Sequence, residues 1–396
     1  RRRFFSIFVL VITLTSIPLQ AEASSDPPEL QARAAVLVDM ETGRVLYSKN
    51  EHDRLPPAST TKIMTALVAL EHGDLGRVIV APPSVTSVEG TSAYLVPGEQ
   101  HTLEEMLYAL LLNSANDVAS AIAWGVSGDE AGFVALMNEK ARELGLRDTH
   151  FVNSHGLPAE GHYSSAYDLA QIARAAMGNE TFRRIVRTYT RPWKGDQWET
   201  VLVNRNRLLK EYEGTTGIKT GYTREAGWCL VASAERKGVS LIAVVLNSTG
   251  NGVWEDAKAL LDYGFNNYQK VIVIEQGAPV LKMKSGSRLV RVVAGQTAGL
   301  LKMSGDPSLP EGEIILTKQS SRFGRGEQVG EIRYFLKGEQ VAAVPLIAAD
   351  STGWFLGWKD LWLILTTAVF VIAVARRLRW LARRKPYRLK YVGRGK

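Results

Sequence analysis

The chain has a single cysteine, Cys229, in 396 residues. That excludes an internal disulfide and any cysteine-built metal centre, so stability has to come from a packed core. Histidine is almost as scarce. The six histidines show no His-Glu-x-x-His or other ligand-like spacing, and no metal or other cofactor is expected. Internal repeats and low-complexity blocks are missing too, which argues against a solenoid or an array. Nor does the body of the chain hold surplus positive charge, although the whole carries +8. Residues 376–396 contain ten Lys/Arg and no acid, and residues 1–23 contain Arg1, Arg2 and Arg3 against Glu22. Setting those two ends aside leaves residues 24–375 at net −4, so no nucleic acid is expected among the partners.

What is present is enough for two packed domains: 45% of residues are hydrophobic and 22% charged. The beginning reads as a secretory signal peptide over residues 1–23, with three arginines, the apolar run 4–14 and the small-x-small site Ala21-Glu22-Ala23. Near the other end, residues 354–375 are apolar apart from Lys359 and Asp360. They predict a transmembrane helix, with Lys359 snorkelling to the interface because the uninterrupted part, 361–375, is short for a span. The basic stretch 376–396 then predicts a cytoplasmic tail, with the body exported and single-pass at the cell membrane. A surface-lying amphipathic helix is the alternative for the same segment.

Between these ends the pattern predicts an α+β fold. Residues 34–39 and 44–48 read as a hairpin around Met40-Glu41-Thr42-Gly43, and a helix over 59–71 follows Pro56-Pro57. Thr102-x-x-Glu105 is a capping box that opens a helix over 102–113, and a further helix begins at Asp117 after the break Ser114-Ala115-Asn116. Helices are expected over 129–144, 165–177 and 254–267, and strands over 228–235 and 239–246. After residue 267 come short β-prone runs at 271–274, 288–293, 313–316, 328–334 and 340–346. They predict an all-β domain over 268–350, behind a catalytic domain over 24–267.

Ser59-Thr60-Thr61-Lys62 carries the first chemical signal, since residues three apart share a helix face and bring an amine to a hydroxyl. A half-buried lysine loses its proton more easily and can act as base for a serine nucleophile. Alone, the tetrapeptide is more often a cap followed by a solvated lysine. Two further pieces follow in order: Ser114-Ala115-Asn116 in a break between helices, and Lys219-Thr220-Gly221 just before a strand. Each has a bland reading by itself, as an N-cap serine with a turn asparagine or as a polar strand edge. The order Ser-x-x-Lys, Ser-x-Asn, Lys-Thr-Gly is that of penicillin-binding proteins and serine β-lactamases.

The wording around these motifs resembles the penicillin-binding D-alanyl-D-alanine carboxypeptidases, the low-molecular-mass penicillin-binding serine peptidases. It includes Pro57-Ala58-Ser59-Thr60-Thr61-Lys62-Ile63-Met64-Thr65, Asn113-Ser114-Ala115-Asn116-Asp117, His155-Gly156-Leu157 and Gly217-Ile218-Lys219-Thr220-Gly221-Tyr222-Thr223. The resemblance covers residues 28 to about 346. It implies a five-stranded antiparallel sheet with helices on both sides, followed by a β-rich domain between it and the membrane anchor. It also implies that Ser59 is the nucleophile and Lys62 its base, that Ser114 relays a proton, and that Asn116 holds the substrate peptide group and Lys62. Lys219 would add positive charge and Thr220 would bind the terminal carboxylate. Gly221 would let the substrate lie along the sheet edge, and the N–H groups of Ser59 and Tyr222 would form an oxyanion hole. His155 matches a loop position beside the cleft, where a packing role is an equal reading. One feature departs from the family: the arginine often found near the start of the helix after the strands is replaced, with Val253 at its place, and Arg224 is the suggested substitute.

The expected function is a penicillin-sensitive, serine-type D-alanyl-D-alanine carboxypeptidase of cell-wall synthesis and remodelling, acting on peptidoglycan stem pentapeptides and inhibited by β-lactam antibiotics. The alternatives are a β-lactamase and a catalytically weak wall-binding scaffold.

Overall fold

The structure is a computed structural model that describes residues 26–285, 288–317, 323–350 and 358–383. The expected signal peptide, residues 1–23, lies outside the described residues. The chain divides into two compact units. Described residues up to Val271 form one unit together with Gly299–Leu309; Ile272–Ala298 and the residues from Pro310 onwards form the other.

The first unit is built on a five-stranded antiparallel sheet. Its order is Val45–Lys49, Ala34–Asp39, Val239–Ser248, Gly227–Arg236 and Thr215–Thr223. Successive side chains alternate between its two faces, and both faces are buried. Val36, Val38, Val231, Ile242 and Val244 face the large helical layer formed by residues 58–186. Leu37, Leu230, Leu241, Ala243 and Val245 face the helix Gly252–Asn267, which covers the other side through Val253, Leu260 and Leu261. Near-continuous apolar strands are the consequence of burial on both faces.

Several helix starts follow from their caps. Thr102 and Glu105 form the reciprocal capping box at Leu103–Tyr108. Asp129 accepts from the Gly132 N–H at the start of Glu130–Glu143, and Ser165 accepts from the Asp168 N–H at the start of Ala166–Met177. Three local differences from the sequence expectation matter for function. The helix expected over 59–71 opens with a 3₁₀ turn, Ala58–Thr61, before the α-helix Lys62–His72. The helix expected over 102–113 widens to a π-turn at Ala109–Asn113. Lys219-Thr220-Gly221 lies inside the strand Thr215–Thr223 and not ahead of it. This is an edge strand, so polar residues are tolerated along a free side that a central strand would not offer. The hairpin Thr190–Lys194 with Glu199–Val203 and the helix Glu180–Arg187 are additions that the periodicity did not announce.

The second unit holds a five-stranded antiparallel sheet in the order Pro279–Ser285, Arg288–Ala294, Glu339–Ala348, Gln328–Leu336, Glu311–Leu316. Val290, Val292, Val329, Val344 and Leu346 are buried in it.

The expected transmembrane span over 354–375 is not found among the described residues. Among the described residues the C-terminal helix is Trp358–Arg383, and it runs on through Arg376, Arg377 and Arg379. Among the described residues no helix is long and apolar enough to cross a membrane. The uncharged run 361–375 spans only about 22 Å at ~1.5 Å per residue, against a hydrocarbon layer of ~30 Å. Residues 354–357 and 384–396 lie outside the described set.

Candidate active site

The 3₁₀ turn places Ser59 at the head of Lys62–His72, with its side chain half-buried and Lys62 fully buried three residues on. The backbone here is constrained. Ala58 has φ +48°, a left-handed conformation that a residue with a Cβ adopts at a cost. The loop that packs against it meets the Ala58 carbonyl at Gly156, where a Cβ would lie 2.0 Å from the Ala58 oxygen. Only glycine fits there.

The Lys62 amine has three partners. Nζ lies 3.0 Å from Ser59 Oγ, 2.7 Å from Asn116 Oδ1 and 2.6 Å from the His155 carbonyl oxygen. Two of these can only accept, and the third is a hydroxyl that can also donate. A neutral amine has two hydrogens and one lone pair, so it satisfies all three, with the lone pair facing Ser59. The electrostatics favour that state. Burial, then the nearby positive charges of Lys219 and Arg205, hold Lys62 well below the usual lysine range, and Asp117 offsets this only in part. Neither Ser59 nor Lys62 is in hydrogen-bond or ion-pair contact with a carboxylate among the described residues.

The Ser114-Ala115-Asn116 break is a left-handed kink. Ser114 has φ +67° after the π-turn, which sets its short side chain free of the helix groove and into the cleft. Asn116 starts the next helix, Asn116–Ser127, and its Nδ2 donates to the Glu89 carbonyl at 2.7 Å. That bond fixes the amide so that Oδ1 faces Lys62. Asp117 binds the neighbouring loop: it accepts from the N–H groups of Ala93 and Leu95 and from Ser92 Oγ. Thr91, at the start of that loop, lines the cleft.

The edge strand supplies the opposite wall. Thr220, Gly221 and Tyr222 line a cleft of about 750 Å³ together with Ser59 and Ser114. At Gly221 a Cβ would lie 3.0 Å from the Ser59 backbone nitrogen and 3.1 Å from the Pro57 carbonyl oxygen. Glycine is therefore what lets the strand approach the serine turn. Lys219 is buried behind this wall with Nζ 3.0 Å from the Thr220 carbonyl oxygen, and burial with the charge of Arg205 brings it down to about 7.

All eight sequence-derived residues thus converge. Ser59, Lys62 and Asn116 touch directly; Ser114, Thr220, Gly221 and Tyr222 line the same space; Lys219 stands behind it. His155 contributes its backbone carbonyl, while its ring Nδ1 accepts from the Leu157 N–H and burial holds its pKa down at about 3. The cation suggested at Arg224 is placed differently. Val253 is buried in the core, and the arginines lining the cleft are Arg205 and Arg207. Arg205 has no ion-pair partner among the described residues. It is presented by a tight loop in which Asn204 donates to the Val186 and Thr188 carbonyls and Asn206 accepts from the Leu208 N–H. Asn204-Arg205-Asn206 was the available sequence signal, and it carries no periodicity. Trp228 and Trp254, also unanticipated, close the far side of the cleft.

The chain is similar to known proteins. Residues 21–250 match the Peptidase S11 family, described as D-alanyl-D-alanine carboxypeptidase. The chain is 35% identical to the D-alanyl-D-alanine carboxypeptidase DacF of Bacillus subtilis over 88% of its own length and 94% of that protein. It superposes on penicillin-binding protein 5 of Haemophilus influenzae with a TM-score of 0.69 at 27% identity, covering 82% of this chain and 98% of that one. It is also similar to the Streptomyces K15 DD-transpeptidase, with a TM-score of 0.58 and 33% identity over 61% of this chain and 99% of that one. With the Ser59, Asn116 and Lys219 elements assembled around one cleft, the chain belongs to the D-alanyl-D-alanine carboxypeptidase family of S11 serine peptidases.

Proposed function

We propose that this D-alanyl-D-alanine carboxypeptidase, a penicillin-binding serine hydrolase of the cell wall, works through an acyl-enzyme on Ser59. The observation that carries the reading is the partner set of Lys62, which suits a neutral amine aimed at the Ser59 hydroxyl. Ser59 Oγ attacks the carbonyl between the two terminal D-alanines of a stem pentapeptide while its proton passes to Lys62 Nζ. The N–H groups of Ser59 and Tyr222 receive the oxyanion, a contribution typically of a few kcal/mol per donor. Collapse breaks the C–N bond, and Ser114 passes the proton from Lys62 to the leaving D-alanine amine. Water, deprotonated by Lys62, then cleaves the ester and restores Ser59. Asn116 orients the substrate amide and Lys62. Thr220, with the charges of Lys219 and Arg205 behind and beside it, receives the terminal carboxylate.

A β-lactam acylates the same serine. A β-lactamase is disfavoured because no carboxylate contacts Ser59 or Lys62 among the described residues to drive rapid deacylation. The decisive measurement is release of D-alanine from diacetyl-L-lysyl-D-alanyl-D-alanine by the full chain and by Ser59→Ala. Release that disappears in the variant supports the reading, and release unchanged by the substitution refutes it.

The proposal extends to location: the chain is exported and attached to the outer face of the cytoplasmic membrane through Trp358–Arg383. The support is a helix with Trp362, Leu363, Phe370 and Ile372 all exposed, continuing into Arg376, Arg377 and Arg379. Apolar side chains enter the acyl layer while arginines meet anionic headgroups. Flotation with anionic vesicles should carry the full chain and leave behind a chain ending at residue 350. Equal flotation of both would refute the attachment.

A further inference from the structure

The hairpin Thr190–Lys194 with Glu199–Val203 turns one face to solvent, with Val201 and Val203 exposed, and the other inward, with Trp193 and Leu202 buried. Its base runs directly into the Asn204-Arg205-Asn206 loop, which brings Arg205 to the cleft. At ~3.4 Å per residue the strand Glu199–Val203 carries the tip of the hairpin about 17 Å from that base. The tip is held by Glu99, a carboxylate that does not line the cleft.

Glu99 is 2% exposed, and a buried carboxylate is costly unless its oxygens find donors. Oε1 accepts from His101 Nε2 at 2.8 Å and from the Asp196 N–H at 3.2 Å, while Oε2 accepts from the Val96 N–H at 3.0 Å. The bond to Asp196 joins segments 97 positions apart in the chain. A Cβ at Gly195 would lie 2.7 Å from Glu99 Oε1, so a residue without one lets the tip close onto the carboxylate. The ring of His101 stacks on Trp193 at 4.3 Å between centroids, which continues the contact along the hairpin. A second tie lies beside the first. Tyr94 packs edge-on against Trp198 at 5.1 Å, and it does so with φ +58°, a left-handed backbone that a bulky residue adopts at a cost.

The loop anchored in this way supports the active-site asparagine. The Thr91 carbonyl accepts from the Asn116 N–H at 2.7 Å, and the Ser92 carbonyl accepts from Asn113 Nδ2 at 3.2 Å. On the hairpin side, the Arg205 N–H donates to the Leu112 carbonyl at 3.3 Å, two residues before Ser114. The bonds therefore form a closed ring. It runs from Asn116 through Thr91 and Val96 to Glu99, crosses to Asp196, follows the hairpin to Arg205 and returns through Leu112 to Ser114 and Asn116. Opening the ring at Glu99 frees the hairpin tip and removes the distal restraint on both Arg205 and Thr91.

We infer that Glu99 is a positioning residue for substrate binding: by locking the hairpin tip to the 91–96 loop, it sets where Arg205 stands at the carboxylate end of the cleft. The inference rests on the carboxypeptidase reading, which puts the terminal carboxylate beside Arg205. Glu99 acts through Arg205, so its effect falls on affinity and disappears when the guanidinium is gone.

The test measures D-alanine release from diacetyl-L-lysyl-D-alanyl-D-alanine by the full chain carrying Glu99→Gln, Arg205→Gln or both. Glutamine keeps the size of Glu99 but turns one accepting oxygen into a donor, which then faces another N–H. KM should rise about five- to tenfold in Glu99→Gln, the scale on which members of one hydrogen-bond network couple. The value of kcat should stay within about twofold, because the carboxylate is held alike in ground state and transition state. In the Arg205→Gln background the same substitution should raise KM by less than about twofold. A role in stability alone gives a different result: a lower melting temperature with KM unmoved, or equal factors in both backgrounds, and either overturns the inference. Tyr94→Ala removes the contact with Trp198 and leaves the buried carboxylate in place. It should raise KM about two- to threefold, again only where Arg205 is present. If Glu99→Gln fails to fold, this variant decides, and an unmoved KM in it overturns the inference. No release of D-alanine by the unmodified protein overturns the carboxypeptidase reading itself, whereas release with a KM indifferent to Glu99 and Tyr94 overturns the positioning role alone.

Discussion

Replacing Gly221 by alanine probes the contact on which the whole cleft depends. The added Cβ would lie 3.0 Å from the Ser59 nitrogen, 3.1 Å from Ala58 Cβ and 3.1 Å from the Pro57 oxygen. Ordinary contact begins near 3.4 Å, so the strand and the serine turn must separate by about 0.3–0.4 Å, an overpacking that typically costs about 1–3 kcal/mol. The turn has little freedom to yield, because Ala58 already holds a left-handed φ and Gly156 is pressed on its carbonyl. A misplacement of 1 Å costs about a hundredfold in rate, so a third of that should cost roughly fivefold in acylation beyond any loss of stability. Two assays separate these effects: the rate of Ser59 labelling by a fluorescent penicillin, and thermal unfolding. Gly238→Ala serves as the control, since Gly238 has φ +76° with nothing within 4 Å of a Cβ. It should lower the melting temperature through backbone strain alone and leave labelling unchanged. If Gly221→Ala labelled Ser59 at the normal rate, the close approach of strand to serine turn would not be what sets the catalytic geometry.

Four further outcomes follow from named groups. Because Lys219 titrates near 7, KM for a D-Ala-D-Ala peptide should rise between pH 6 and 8 as its charge is lost; Arg205→Gln should move that limb to higher pH, and a flat KM would refute the assignment. The same group makes stability climb from pH 7 towards 10.5, since across that window the unfolded lysine keeps a proton that the folded one has released. His155 and His162, held at about 3 and about 4 against an ordinary 6.5, contribute stability that is complete above pH 6.5 and is lost as pH falls towards 4. Denaturant titrations at pH 4.5 and 7, with His162→Asn flattening part of the difference, check this. Asp256 accepts from the N–H groups of Gln31 and Ala32 and from Ser248 Oγ. Asp256→Ala strands three donors, and chemical denaturation should report a loss of about 2–4 kcal/mol.

Local signals explain what the sequence determined by itself. Helix starts at Leu103, Glu130 and Ala166 were legible because an N-cap side chain acts within three residues of the backbone it satisfies. The hairpin Ala34–Asp39 with Val45–Lys49 was legible from its turn. The three motifs announced their chemistry because each is a contiguous string, even though they lie 54 and more residues apart. Only tertiary structure decided the rest. It buried Lys62 and Lys219, and burial, not residue identity, is what turns a lysine into a base. It made Thr215–Thr223 an edge strand, which depends on the order in which distant strands pair. It brought Arg205 to the cleft on a loop without periodicity, and Gly299–Leu309 back to the first unit across an intervening segment. Sequence patterns record what neighbours along the chain do for one another; the charge state and aim of a catalytic group are set by neighbours in space.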